Sequence, residues 1–249
     1  MSDPILVLAE AIQKKQPAAL MTVIEVNGAS PAKPGAQMAL LADGTTAGTV
    51  GGGKLEEAML KDARLILTEG LPRLIHYSLT EQGPEAVGTL CGGEVRAFLQ
   101  PYFPPPKLII VGGGHIGKPL RAMGEAAGFE VIVVDVEPGR ADVSGLEAVE
   151  LTADSSIVLI TTDHVSDEAA LRRVIRSPAR YIGMIGSRRK RQTILEHLRA
   201  DGFAEEALGR VYAPIGLDLG GVSPPEIAVA ILAEIVAVRH GRSGAPLSR

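Results

Sequence analysis

The segment VGGGHIGKPL, residues Val111 to Leu120, decides the fold of the second half of the chain. It follows an apolar, strand-like run, KLIIV, and leads into a helical pattern. Gly112, Gly114 and Gly117 match G-x-G-x-x-G, in which the first glycine permits a tight turn, the second lets the backbone approach a phosphate, and the third lets helix and strand pack closely. A helix that begins after such a turn presents free N–H groups to an anion. The segment therefore predicts a phosphate-binding loop.

A candidate ribose contact follows this loop. Asp135 ends the apolar run FEVIVVD about 20 residues further on, where a carboxylate can accept a hydrogen bond from a ribose hydroxyl. The loop also nearly matches the P-loop of NTPases, but Pro119 stands where Ser or Thr should hold Mg²⁺, so the NTPase interpretation fails. His115, inside the loop, is a second candidate contact to a phosphate or else a surface residue. The pattern predicts a nucleotide-like ligand.

Strands alternate with helices beyond the loop. The runs IVLITT, YIGMIG and VYAPIG are strand-like, and DEAALRRVIRS and RKRQTILEHLRADG are helical. Near-continuous apolar strands between helices are typical of a parallel sheet that is covered on both faces. The last helix begins at Ser223 with a capping box that Glu226 completes. Residues 108–249 are therefore predicted to form a Rossmann-like, doubly wound parallel-sheet domain, with an eroded crossover helix between Asp135 and Ser156.

A different domain is predicted before a proline-rich linker. The linker is PYFPPPK, residues 101–107, because prolines favour an extended, semi-rigid chain. Residues 1–100 combine the helical runs ILVLAEAIQKK and KLEEAMLKDARLILTEG with the strand-like runs AALMTVIEV, QMALLAD, PRLIHYSL and GEVRAFLQP. This pattern predicts an α+β domain.

The first domain contains two candidate contacts of its own. Gly51, Gly52 and Gly53 lie between a strand and a helix and are followed by Lys54, which predicts a second anion cradle, although a tight turn would also require glycine. Cys91 lies in GTLCGGEV. The two glycines after Cys91 leave its thiol uncovered and bring N–H groups near it, which favours a thiolate. The alternative is an inert packing cysteine.

An NAD(P)-dependent oxidoreductase is the alternative use of the same loop and Asp135. Such an enzyme needs a proton donor, and His164, after IVLITT, lies at the carboxyl edge of the predicted sheet. Its neighbours Asp163 and Asp167 could tune its pKa or coordinate a ligand. No His-Arg-Asp set accompanies His164, which disfavours a dehydrogenase. We assign neither catalytic residues nor a metal site from the sequence.

Composition disfavours several classes of protein. The net charge of −4 and the absence of Trp disfavour a nucleic-acid binder, which needs a basic surface and stacking platforms. No apolar run approaches the roughly 20 residues of a membrane span. The single cysteine fits a reducing compartment. We therefore expect a cytoplasmic protein that contacts neither nucleic acid nor membrane.

The sequence resembles the XdhC/CoxI family, accessory proteins of xanthine dehydrogenase and related molybdenum hydroxylases. The resemblance lies in GASPAKPGAQM, GTVGGGKLEEA and LCGGEV in the first half, and in LIIVGGGHIGKPL, YIGMIGSRRKR and APIGLDLGGVSPPEIAVAILAEIVAVRHG in the second. It implies a chaperone that binds molybdenum cofactor during sulfuration, together with a cysteine desulfurase, and delivers it to a hydroxylase client. One departure is TTDH, residues 161–164, where family members often carry Thr-His-x-His.

These interpretations combine into one working hypothesis. The chain is a chaperone that holds molybdenum cofactor, as molybdopterin or its dinucleotide form, more than it transforms it. The oxidoreductase and a nucleotide-sensing scaffold are the alternatives, and the apolar last helix suggests a homodimer. The predicted cofactor-binding residues are Gly112, Gly114, His115, Gly117, Asp135, Gly51, Gly52, Gly53, Lys54, Cys91 and His164.

Overall fold

The computed structural model describes residues 2–83, 85–89, 91–137 and 139–248. The chain divides into two compact units, Met1–Pro104 and Pro105–Arg249. Each unit has its own five-stranded sheet. The connector between the units is shorter than the predicted linker of residues 101–107. Pro101 and Tyr102 belong to the end of one strand, and Lys107 begins the next.

The N-terminal unit is an antiparallel sheet with one helix on each face. Its strand order is β3-β2-β1-β5-β4. Helix α2 packs against β1 and β5, and helix α1 packs against β1 and β2. The elements are α1 (Pro4–Gln13), β1 (Ala18–Asn27), β2 (Gln37–Leu41), β3 (Thr46–Gly48), α2 (Gly53–Glu69), β4 (Arg73–Ser78) and β5 (Glu94–Tyr102).

The sequence pattern of α2 explains its packing. Leu55, Met59, Ala63 and Ile66 recur at helical spacing and are buried against the sheet. Burial of each large apolar side chain contributes roughly 1.5–3 kcal/mol. The helix ends at Gly70, whose φ of 77° is left-handed and whose N–H donates to the carbonyl oxygen of Ile66 at 2.8 Å.

The C-terminal unit contains a parallel sheet with strand order β10-β9-β8-β6-β7. A short 3-10 helix, Leu146–Ala148, lies in the crossover between β7 and β8, where the sequence predicted an eroded helix. The elements are β6 (Lys107–Val111), α3 (Gly117–Ala126), β7 (Glu130–Val134), β8 (Ser155–Leu159), α4 (His164–Val174), β9 (Tyr181–Met184), α5 (Arg188–Ala200), α6 (Glu205–Leu208), β10 (Val211–Tyr212) and α7 (Pro224–Arg239).

Helices cover both faces of the parallel sheet. Successive residues of β6 point to opposite faces, so Ile109 joins a core with Leu171 of α4, and Leu108 joins a core with Leu120 of α3 and Ile231 of α7. Strands that are buried on both sides must be apolar throughout, as KLIIV nearly is. The predicted fold class, an N-terminal α+β domain followed by a Rossmann-like domain, is confirmed.

Helix α7 contains the capping box that the sequence predicts. The carboxylate of Glu226 accepts from the backbone N–H of Ser223 at 3.0 Å. Glu234, which interrupts the apolar run of this helix, accepts hydrogen bonds from the Tyr181 hydroxyl and the Gly216 N–H. In the part of the chain that the structure describes, no helix is long and apolar enough to cross a membrane.

Candidate functional site

The three glycines of the loop after β6 have different surroundings. Gly112 has a φ of 117°, and a Cβ atom there would overlap the carbonyl oxygen of Ile160. A Cβ atom at Gly117 would overlap the carbonyl oxygen of Gly112, so both positions need glycine for the backbone to pack. A Cβ atom at Gly114 would meet no atom within 4 Å. Gly114 therefore faces open space at the N-terminal end of α3, where a phosphate can approach the backbone.

A cavity of about 340 Å³ lies beside this loop at the carboxyl ends of the strands. Val111 and Val134, which end β6 and β7, line it together with Gly114 of the loop, Thr161 of the β8–α4 connection and Ser166 of α4. Such a volume is in the range of small-molecule sites. The strand order reverses between β6 and β8, which is where doubly wound sheets bind their ligands.

Asp135 lies in this cavity and holds the loop. Its carboxylate accepts from the Gly113 N–H at 2.8 Å and from the Glu137 N–H at 3.0 Å. Partial burial acts to raise the pKa of Asp135, but these hydrogen bonds and the nearby charge of Arg140 outweigh it and lower the pKa. A carboxylate has further lone pairs. Asp135 can therefore fix the loop and still accept from a hydroxyl group of a ligand.

Two arginines that the sequence analysis missed line the cavity. Arg140 pairs with Glu137 at 2.7 Å, and Arg173 of α4 pairs with Glu147 at 2.9 Å. Both pairs are exposed and therefore weak, so the guanidinium groups can turn to an anionic ligand. Arg140 could have been found from the sequence, because an arginine shortly after the ribose-binding acid, here Asp135, is one way to accommodate an added phosphate.

The two predicted histidines do not line this cavity. His115 is exposed in the loop and His164 is exposed at the first position of α4. Of the two acidic neighbours predicted to tune His164 or coordinate a ligand, Asp167 is fully buried, and its carboxylate is engaged by Lys190 and Thr161. Asp163 caps α4 by accepting from the N–H groups of Val165 and Ser166, at 2.9 Å each. The pKa of Asp163 is lowered, first by its hydrogen bonds from Ser166.

Asp167 instead belongs to a buried polar cluster that links three elements. Its carboxylate accepts from the N–H of Thr161 at 3.0 Å and from the Thr161 hydroxyl at 2.7 Å, and it pairs with the ammonium group of Lys190. The stem of Lys190 lies across Gly186, where a Cβ atom would collide with it. This cluster fixes Thr161, which lines the cavity, against α4 and α5.

The glycine triplet of the N-terminal unit is already occupied by a carboxylate of the same chain. Glu56 accepts from the Gly52 N–H at 3.1 Å, the Val50 N–H at 3.3 Å and the Thr49 hydroxyl at 2.7 Å. The prediction of an open anion cradle is therefore wrong for the Gly52 N–H. Glu56 satisfies the positive end of α2 from within its own first turn.

Three loops of the N-terminal unit nevertheless lie together. A Cβ atom at Gly51 would contact Ala32, and one at Gly28 would contact Gly93 at 3.2 Å. Lys54 donates to the carbonyl oxygen of Gly88. The segments GASPAKPGAQM, GTVGGGKLEEA and CGGEV, which are far apart in the sequence, therefore surround one region of the surface.

Cys91 lies in this region and is exposed. The expectation that the following N–H groups favour its thiolate is wrong for Gly92, whose N–H donates to the carbonyl oxygen of Leu79 at 2.8 Å. The hydroxyl of Thr89 is buried without a hydrogen-bond partner among the described residues. A buried, unpaired hydroxyl two residues from an exposed thiol is a feature that a ligand could satisfy. Within the described ranges, no group of three or more His, Cys, Asp or Glu side chains forms a metal site.

Family models match both units. One described as the XdhC Rossmann domain matches residues 108–235, and one described as the XdhC and CoxI family matches residues 11–78. The chain belongs to the XdhC and CoxI family. The family that the sequence motifs suggested is thus confirmed, and the loop, Asp135 and the Asp167–Lys190 pair all lie within its Rossmann domain.

Three curated relatives match this XdhC/CoxI chain over different shares of their own length. The uncharacterized protein YqeB of Escherichia coli (strain K12) is 32% identical over 95% of the chain, which spans 46% of that protein. The molybdenum cofactor insertion chaperone PaoD, from the same strain, is 23% identical over 92% of the chain and 86% of its own length. A probable xanthine dehydrogenase subunit of Bacillus subtilis (strain 168) is 27% identical over 57% of the chain and 46% of its own length.

A solved structure supports the fold. The crystal structure of a xanthine dehydrogenase from Bacillus halodurans superposes with a TM-score of 0.50 at 21% identity, covering 99% of each chain. The similarity therefore extends over both units of the sequence, and at this level of identity it bears on the fold alone.

Proposed function

We propose that this XdhC/CoxI protein binds molybdenum cofactor as a cargo and delivers it to a molybdenum hydroxylase of the xanthine dehydrogenase type. The family, and the similarity to a protein named as a molybdenum cofactor insertion chaperone, support a role in cofactor maturation. Delivery during sulfuration, with a cysteine desulfurase as the sulfur source, is the finer part of the proposal. The single cysteine fits action in a reducing cytoplasm.

One observation carries the proposal: the cavity beside Gly114 is built to hold an anion and offers little for catalysis. Arg140 and Arg173 line it, and so does Gly114, whose backbone precedes the N-terminal end of α3, so an anionic group could bind there. Among the described residues that line the cavity there is no His, Lys, Tyr or Cys, and the one carboxylate, Asp135, already holds the loop. Binding without a nearby acid–base group suits a carrier better than an enzyme.

The residues present fit a phosphate-bearing pterin. The backbone at Gly114 would hold its phosphate or pyrophosphate, and Asp135 would accept from the ribose hydroxyl of a dinucleotide form. Cys91 is the candidate thiol contact to the cargo, with Lys54 and the unpaired Thr89 hydroxyl in the same region of the N-terminal unit. His115 and His164 remain candidate contacts only from outside the cavity.

The test is retention of molybdenum cofactor through gel filtration, followed by activation of a cofactor-free hydroxylase. The wild type should retain the cofactor and activate the client. Gly114→Asp places a carboxylate in the open space of the loop, so we expect retention to fall by more than about tenfold with little change in melting temperature. Ala122→Asp, on the exposed surface of α3, adds the same charge away from the loop and should behave as the wild type.

The same assay tests the role of Cys91 in the N-terminal unit independently of the Gly114 loop in the C-terminal unit. Cys91→Ser should keep the melting temperature, because the side chain is exposed, and should weaken client activation. A lower melting temperature with intact activation would contradict this role.

An NAD(P)-dependent oxidoreductase is the second candidate, because Asp135 follows β7 at the position of the ribose-binding acid. It predicts steady oxidation of NADH or NADPH with small carbonyl compounds. That turnover, together with no retention of the pterin, would replace the chaperone proposal. A homodimer through the apolar helix α7 remains a further proposal, which the molar mass in solution would test.

A further inference from the structure

Helix α5 begins with four consecutive cations, of which one forms an ion pair within the described part of the chain and three do not. Lys190 is committed to the buried carboxylate of Asp167. Arg188, Arg189 and Arg191 have no carboxylate partner among the residues that the structure describes. Arg188 and Arg189 are exposed, and Arg191 is half-buried. Two exposed arginines and one half-buried arginine therefore lie on one turn of helix without a carboxylate partner among the described residues.

These three arginines do not stabilise the helix that carries them. The first turn of a helix has a positive electrostatic potential, and cations are unfavourable there. The first turn of α5 contains no acidic residue, whereas α4 places Asp167 in its first turn and Arg172 and Arg173 in its last. Three cations that lower the stability of the helix and form no ion pair within the described chain suggest a role in binding another molecule.

A groove of about 500 Å³ adjoins the cluster and combines charged with apolar side chains. Arg188 and Arg191 line it together with Leu195, Ala213 and Pro214, and its other lining residues are Gln192, Glu196 and Arg199. Glu196 accepts from Gln192, and Arg199 pairs with Glu205, so among the described lining residues Arg188 and Arg191 are the cations left for a partner. Arginine beside apolar surface is enriched in the centres of protein–protein interfaces, where guanidinium groups bind carboxylates with two hydrogen bonds.

We propose that Arg188, Arg189 and Arg191, with this groove, form the docking surface for an acidic surface of the hydroxylase client. The chain as a whole has a net charge of −4, so this cluster is a local positive region that can steer an acidic partner. Because α5 follows the carboxyl end of β9, the cluster lies at the same edge of the parallel sheet as the Gly114 loop. The client would dock at the edge from which the cargo leaves. This inference rests on the proposed function for the identity of the partner.

The test is Arg188→Glu/Arg191→Glu, measured by titration calorimetry with the cofactor-free hydroxylase at low and high salt. Wild-type association should weaken as salt rises, and the double variant should bind at least about tenfold more weakly at low salt. Its melting temperature should stay the same or rise by about 1–3 °C, because acidic residues suit the start of a helix. Cofactor retention should be unchanged. Arg188→Lys/Arg191→Lys should recover part of the association.

Lys61→Glu/Arg64→Glu is the matched control, since both residues are exposed on α2 without an ion pair among the described residues, and it should bind the client as the wild type does. The proposal would be overturned if the α5 double variant bound the hydroxylase as tightly as the wild type does, or if the control lost as much affinity as the α5 variant. It would also be overturned if heparin displaced the hydroxylase equally well from the wild type and from the α5 variant. Loss of cofactor retention in the α5 variant would also overturn it, because the arginines would then be cargo ligands. A wild type that docks with salt dependence but retains no cofactor would reject the chaperone function and leave the docking surface standing.

Discussion

Asp135 holds the loop after β6 and also lines the cavity beside it. Asp135→Asn replaces one oxygen with an NH₂ group, which cannot accept from both Gly113 and Glu137. We expect a loss of roughly 1 kcal/mol in the free energy of unfolding at neutral pH and a weaker affinity for phosphate-bearing ligands. Urea unfolding of both proteins measures the first effect. Asp154→Asn, in an exposed pair with Arg180, is the control and should change little.

The pH dependence of this difference follows from the direction of the pKa shift. The pKa of Asp135 is lower in the folded chain than the roughly 3.9 of an unfolded aspartate. Its stabilisation is therefore complete above the unfolded value and is lost as pH falls through the folded value. The gap between wild type and Asp135→Asn should be full at pH 7 and shrink in acid. A gap that persists at the lowest pH where both proteins remain folded would show that geometry, not charge, is responsible.

At the scale of elements, Asp167 and Lys190 join α4 to α5 across the strand ends. Removal of one partner leaves the other charge buried or half-buried, so Asp167→Asn and Lys190→Met should each lower the free energy of unfolding by about 3 kcal/mol. The double variant should lose less than the sum of the two, as a double-mutant cycle would show. Arg180→Met, in an exposed pair, is the comparison and should lose less than about 1 kcal/mol. Additive losses would mean that the pair is not coupled.

The same elements show what the sequence could and could not predict. Apolar periodicity and glycine spacing are local signals, so the helices, the parallel sheet and the need for glycine at Gly112 and Gly117 could be predicted. The phosphate contact at Gly114 stays a prediction. The Asp167–Lys190 pair could not, because it depends on which strands are neighbours. The Gly52 cradle was misjudged for another reason: Glu56, four residues away, competes with any external anion, and composition does not show which way its carboxylate turns.

At the scale of the molecule, each unit has its own hydrophobic core. The residues of two clusters all belong to the N-terminal unit, and those of the other two all belong to the C-terminal unit. Since burial of apolar surface is the main stabilising contribution to a domain, we expect residues 1–104 and 105–249 to fold as separate fragments. Each should give one cooperative unfolding transition by circular dichroism. A fragment that remains unfolded would show that its core depends on the other unit.

The separate fragments also assign the two candidate sites to their functions. The fragment 105–249 contains the Gly114 loop, Asp135 and both cavity arginines, so it should bind a nucleoside diphosphate within about threefold of the full chain. The fragment 1–104 contains Cys91 and should react with a thiol reagent as fast as the full chain does. Activation of the cofactor-free hydroxylase should require the intact chain, because the Gly114 loop and the thiol of Cys91 are on different units. Full activation by the fragment 105–249 alone would remove Cys91 from the delivery step and leave the Rossmann-like unit as the whole carrier.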